Sequence, residues 1–144
     1  MRNILALGNA ACNIADRFSK YKVYNIYKIN NITEKSKNSF KIPEFSSAEE
    51  CENYEVSKKI AFLTKMKEEV TFFVSGASLS SALSLKILQI LHKRGLKIKV
   101  VYFKPETEFL SIAQSLQERT IRGVMQEYAR SGLFEDITMV CTKT

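Results

Sequence analysis

Two stretches of the chain end an apolar run in a glycine and open a helix-like pattern directly after it: "ALGNAACNIADRF" around Gly8 and "FFVSGASLSSALSLKIL" around Gly76. Strand, tight turn and helix start together make a common anion site, because the first helical N–H groups lack intrahelical acceptors and point outward. In the first stretch the donors are the backbone of Gly8, Asn9, Ala10 and Ala11, with Asn13 on the first helical turn. In the second they are the backbone of Gly76, Ala77 and Ser78, and the hydroxyls of Ser78, Ser80 and Ser81 can donate to an oxyanion. Both features also have a plain structural explanation, since glycine after a strand permits a sharp bend and serine at a helix start caps it.

Other residue types offer less chemistry. His92, the single histidine, stands near a helix end beside Lys93 and Arg94, where a cation complements the helix dipole, and it has no Ser–His–Asp or Cys–His arrangement around it. Asp16 can meet Glu106 or Glu108 at a pocket rim, although solvated carboxylates are far commoner. Cys12, Cys51 and Cys141 are odd in number and widely spaced without a C-x-x-C, which fits free thiols in a reducing compartment and argues against zinc.

The elements that must position the two turns alternate in type. Strands are expected at 2–7, 22–29, 70–76, 97–103 and 136–141, and helices at 10–20, 79–93 and 108–131, with a further helix from Ser46 or Ser47 to about Lys67. Residues 30–45 are polar, lack a sustained period and read as a loop. Such alternation implies a three-layer, Rossmann-like, mainly parallel sheet with helices on both faces and right-handed crossovers, in one domain over 1–144. In that architecture ligands gather at the carboxyl ends of the strands, where both glycines fall.

Taken with their helices, the two turns resemble the N-terminal nucleotide-binding domain of the tubulin and FtsZ family. There a first strand enters a glycine-rich phosphate loop, and a later strand leads into a G-G-G-T-G-[S/T]-G signature. "KIKVVYFKPETEF" is similar to the family's next strand and its V-T-x-P-F-x-F continuation, and "RGVMQEYARSGLFEDITMV" has the register of the helix and strand that follow. The resemblance implies GTP or GDP as the ligand of Gly8, Asn9, Ala10, Ala11, Asn13, Gly76, Ala77, Ser78, Ser80 and Ser81. The departures imply a degraded cradle, because only one glycine remains in each loop and Cβ atoms at former glycine positions leave less room for a triphosphate. The family's second domain, whose acidic residue completes hydrolysis on a neighbour, has no counterpart in these 144 residues.

These observations favour a non-hydrolysing module that binds protein or assembles, as a structural component of a larger complex such as a virus particle or on a tubulin-like filament. A small GTP-binding protein or GTPase is the second expectation. Weak nucleic-acid binding is the third, suggested by a net charge of +7 concentrated at 17–41 and 86–104. "YKVYNIYKIN" sets tyrosines at every third position, which a strand sends to different faces, so it makes a poor stacking platform. No apolar run approaches the roughly 20 residues that span a bilayer. The expected location is the cytoplasm or the interior of a virus particle.

Overall fold

The computed structural model describes residues 2–31, 38–56, 60–76, 82–106, 108 and 110–141. Its centre is a six-stranded sheet of β1 (Arg2–Leu7), β2 (Tyr24–Asn30), β3 (Ser39–Lys41), β4 (Glu69–Ser75), β5 (Lys97–Lys104) and β6 (Asp136–Cys141). The strands lie in the order β3-β2-β1-β4-β5-β6, and every neighbouring pair is parallel. This is the doubly wound arrangement: the chain moves outward from β1 in one direction, returns, and moves outward from β4 in the other.

Parallel strands covered on both faces carry near-continuous apolar runs, and β1 and β4 do so here. Ile4, Ala6, Phe73 and Phe103 face α1 (Asn9–Asp16), which buries Ala11, Cys12 and Ala15 against them. Leu5, Leu7, Phe72, Val74, Val100 and Tyr102 belong to the larger opposite core, with Leu83, Ile87, Leu88 and Leu91 of α3 (Leu83–Lys93) and Ile121 and Met125 of α4 (Ile112–Ser131). The crossover from β3 to β4 adds Cys51 of α2 (Ala48–Glu52), Val56, Ile60, Phe62, Leu63 and Met66 to that core. The three-layer Rossmann-like expectation is therefore met.

Four segments differ from the sequence reading, the first being α1, which ends at Asp16 rather than at 20. The 30–45 loop contains β3, because Phe40 packs on the core and Ile42 is buried, with the Ile42 N–H donating to the Asn30 carbonyl at 2.8 Å. Polar neighbours hide that period of two. The helix expected from 46 to 67 is interrupted: α2 ends at Glu52, and a short 3-10 turn covers Ala61–Thr64, while residues 57–59 of the expected helix lie outside the described residues. Buried positions 51, 56, 60, 62, 63 and 66 do not share one helical face, so an irregular path buries them better. Lys86 donates to the carbonyls of Glu52 and Tyr54, and Arg94 donates to those of Leu63 and Thr64 at 2.6 and 2.9 Å, so α3 satisfies both loose ends. Finally, the long helix starts at Ile112 rather than 108, fixed by a reciprocal capping box between Ser111 and Gln114. The expected Ser47 cap of α2 is present, and Glu50 reaches back to Ser46, whose hydrogen bonds hold the Glu50 carboxyl below its ordinary pKa.

Candidate functional site

Leu7 and Val74 are register partners on adjacent strands, so the two glycine turns leave neighbouring carboxyl ends at the point where strand order reverses. The turns are nevertheless built differently. Gly8 is the N-cap of α1 with φ 93° and ψ 161°, a region nearly restricted to glycine, and no side chain caps the helix. Its own N–H donates to the Ile29 carbonyl at 2.8 Å, which removes it from the expected set of ligand donors. Asn9, Ala10 and Asn13 are exposed around the first helical turn, whereas Ala11 is packed against the sheet.

Gly76 is buried, and the reason for glycine is a neighbour. A Cβ here would stand 2.1 Å from the Tyr102 hydroxyl oxygen and 3.3 Å from the Glu118 Cα. That hydroxyl donates to the Glu118 carboxylate at 2.7 Å, and the Arg122 Nε pairs with the same carboxylate oxygen at 3.3 Å. Both Tyr102 and Glu118 are removed from solvent. Burial, reinforced by the adjacent carboxylate, pushes the Tyr102 phenol far above its ordinary pKa, so it acts as a neutral donor. Ala77, Ser78, Ser80 and Ser81 lie outside the described residues.

The Tyr102–Glu118–Arg122 cluster escaped the sequence reading, although a signal was present. Glu118, Ile121 and Met125 follow helical spacing and form the buried stripe of α4, with Arg122 one turn beyond the carboxylate. A carboxylate on such a stripe needs a buried partner. The other candidates disperse: Asp16 pairs with Lys28 at 3.0 Å, Glu106 is half-buried, and His92 and Glu108 are exposed. Tyr27 packs on Phe62, whereas Tyr24 packs on Phe18 on the opposite face; Tyr21 stays edge-on to Tyr24 with ring centroids 6.4 Å apart, so only Tyr27 separates from the other two. Cys12, Cys51 and Cys141 are free thiols, and no metal-binding group of His, Cys, Asp or Glu occurs among the described residues. Among those residues, no helix is long and apolar enough to cross a membrane.

No family model and no curated protein matches the sequence. Among solved structures the chain is similar to the capsular polysaccharide assembling protein CapF from Staphylococcus aureus, with TM-score 0.55 and 12% identity over 98% of this chain and 34% of that one. The chain thus spans about a third of the length of that protein, and the likeness shows the fold alone.

Proposed function

We propose that this Rossmann-like domain is a non-hydrolysing protein-contact or assembly module, a particle component or filament-associated subunit. The observation that carries the reading is Gly76: the space beside it holds the Tyr102 hydroxyl and the Glu118 backbone, so this glycine serves internal packing. The buried Glu118 carboxylate of the same cluster pairs with Arg122, so that guanidinium is engaged within the fold. The tubulin and FtsZ resemblance rests on the two glycine turns and on the strand and helix patterns at 97–109 and 122–140.

Exposed apolar surface supports a contact role. Ile112 and Leu116 stand one turn apart on α4 and are 84% and 56% exposed, and Met139 and Val140 are exposed on β6 at the edge of the sheet. The other edge, β3, is three residues long and followed by Pro43, whereas β6 runs six residues with no charge after Asp136. A long apolar edge strand without such guards invites a partner.

Equilibrium titration with GTP, GDP and ATP, followed by a phosphate-release assay, tests the reading. We expect no saturable binding at micromolar nucleotide and no turnover; micromolar GTP affinity with hydrolysis overturns it. Sedimentation across a concentration series tests the contact surface for self-assembly. Met139→Lys with Val140→Lys should reduce any association while leaving the unfolding midpoint unchanged.

A further inference from the structure

Each residue of a strand turns its N–H and C=O to one side and the next residue turns them to the other, so one ladder bond fixes the direction of the rest. The Lys97 N–H donates to the Glu68 carbonyl at 2.9 Å, and Lys97 is the register partner of Glu69, so the backbone groups of Lys97 and of every second residue after it face β4. Those of Val100, Tyr102 and Lys104 therefore face β6, where their register partners are Ile137, Met139 and Cys141. In a parallel ladder only one residue of each partner pair bonds across. The backbone groups of Ile137, Met139 and Cys141 thus point away from β5, to the open edge of the sheet.

That edge is apolar in its middle and charged at its ends, with opposite signs. Met139, Val140 and Cys141 are exposed, and so are Glu135 and Asp136 at its start, while the sequence sets Lys143 two residues past Cys141. A strand of this polarity repels a copy of itself laid parallel, acid beside acid, and matches a copy laid antiparallel, acid beside base.

We propose that β6 pairs antiparallel with β6 of a second copy, centred on Met139, and joins two six-stranded sheets in a closed dimer. Edge-facing backbone groups must meet edge-facing ones, so odd-numbered residues of β6 oppose odd-numbered residues of the partner copy. Of the registers this permits, centring on Met139 alone gives all three edge-facing residues an edge-facing mate within the strand: Met139 meets Met139 and Ile137 meets Cys141, each pair exchanging both N–H to C=O bonds. Thr138 then lies opposite Val140, and Lys143 comes level with Glu135 of the partner copy. Centring on Thr138 instead sets the Asp136 carboxylate opposite Val140, and centring on Val140 sets Lys143 opposite Ile137. The other edge serves poorly as a mate, because β3 has three residues and Pro43 follows closely. Pairing β6 with itself occupies the long edge of both copies, so the assembly stops at two. This inference rests on the contact-module reading and names the partner as a second copy.

Sedimentation equilibrium of the intact chain up to about 1 mM, which covers the weak affinities of small interfaces, should show monomer and dimer and nothing larger. The register is read by oxidation with copper phenanthroline in a Cys141→Ser background, where the remaining thiols, Cys12 and Cys51, are buried. Met139→Cys should give a disulfide-linked dimer, because a hydrogen-bonded antiparallel pair sets its Cα atoms about 5.5 Å apart, within disulfide reach. Thr138→Cys and Val140→Cys should cross-link about tenfold more slowly, since each lies two residues out of step with its own copy, at roughly 8 Å. Lys143→Glu should weaken the dimer about fivefold, and Glu135→Lys in the same chain should restore it. A chain that stays monomeric, faster cross-linking at Thr138 or Val140, oligomers beyond two, or no rescue by the charge swap overturns the proposal. Micromolar GTP affinity with hydrolysis overturns the contact-module reading whatever sedimentation shows, whereas a monomer that binds no nucleotide overturns the pairing alone.

Discussion

At the carboxyl end of the sheet the Gly8 N–H is bonded to Ile29 and the space beside Gly76 is occupied by Tyr102, whereas at the amino end five charged side chains border an open cleft. Strand order places ligands of this fold at the first of these ends. The contrast shows that topology fixes where the ends meet, and that the residues behind each glycine decide whether a ligand can use them. A glycine can answer a ligand's approach or a neighbouring side chain, and the two causes look alike in sequence.

The largest effect should come from Gly76→Ala, which we expect to lower unfolding free energy by about 3 kcal/mol through overpacking against Tyr102 and the Glu118 backbone. Urea denaturation measures it. Removing the phenolic oxygen with Tyr102→Phe in the same chain should recover part of the loss, giving a non-additive cycle. Strict additivity would mean that Tyr102 is not what excludes the side chain, and the carboxyl end would have to be reconsidered as a ligand cradle.

Gly8→Ala should cost about 2 kcal/mol for a different reason, the backbone conformation at φ 93° and ψ 161°. Tyr102→Phe should give no rescue here. A comparable rescue at both positions would erase the distinction between the two turns.

The alternation of apolar strands with amphipathic helices made the parallel architecture legible, and Gly8 and Gly76 located the two central strand ends. β3 was hidden because its two anchoring residues, Phe40 and Ile42, are separated by Lys41 within a polar stretch and draw their meaning from a sheet formed by distant strands. The break after Glu52 has no signal in composition, which reports apolar content, whereas the carbonyls at Glu52, Tyr54, Leu63 and Thr64 are bonded by Lys86 and Arg94 of a helix about 30 residues later. Those two cations had been counted with the basic stretch at 86–104, yet they serve backbone carbonyls. Charge counts say nothing of that division. The strain at Glu68, whose φ is 70°, had no sequence signal, since a glutamate in a polar turn is ordinary until its φ is known.

At the amino end, Asn3→Ala removes both side-chain donors that hold the carbonyls of Lys67 and Glu69. The expected loss is about 1.5 kcal/mol, because partly exposed carbonyls regain some water. Hydrogen exchange should accelerate at Glu69 and Lys97, whose N–H groups donate to the carbonyls of Lys67 and Glu68 and so close the γ-turn at Glu68 and its link to β5, and should stay unchanged near Gly76. Acceleration spread evenly over both ends would show that Asn3 supports the sheet generally rather than the strained turn.

The smallest effect separates a dry first turn from an open one through the Cys12 thiol. Its sulfur lies beneath Gly8, 3.5 Å from the Ala6 carbonyl oxygen and 3.7 Å from that of Ile29, and burial pushes its pKa from 9.0 up to about 11. In the unfolded chain the thiol loses its proton near pH 9, while the folded chain keeps it. Its contribution is therefore complete below that pH and is lost as pH rises towards 11, amounting to about 1 kcal/mol between roughly pH 8.5 and 10. Cys51, also pushed up to about 11, adds a fall of the same sign, so the difference between wild type and Cys12→Ala isolates the first turn. The stability advantage of wild type over Cys12→Ala should fall by about 1 kcal/mol between the two pH values, whatever the fixed packing cost of the substitution. Parallel pH profiles would place Cys12 in contact with water, and the Gly8 turn would then be the more open of the pair.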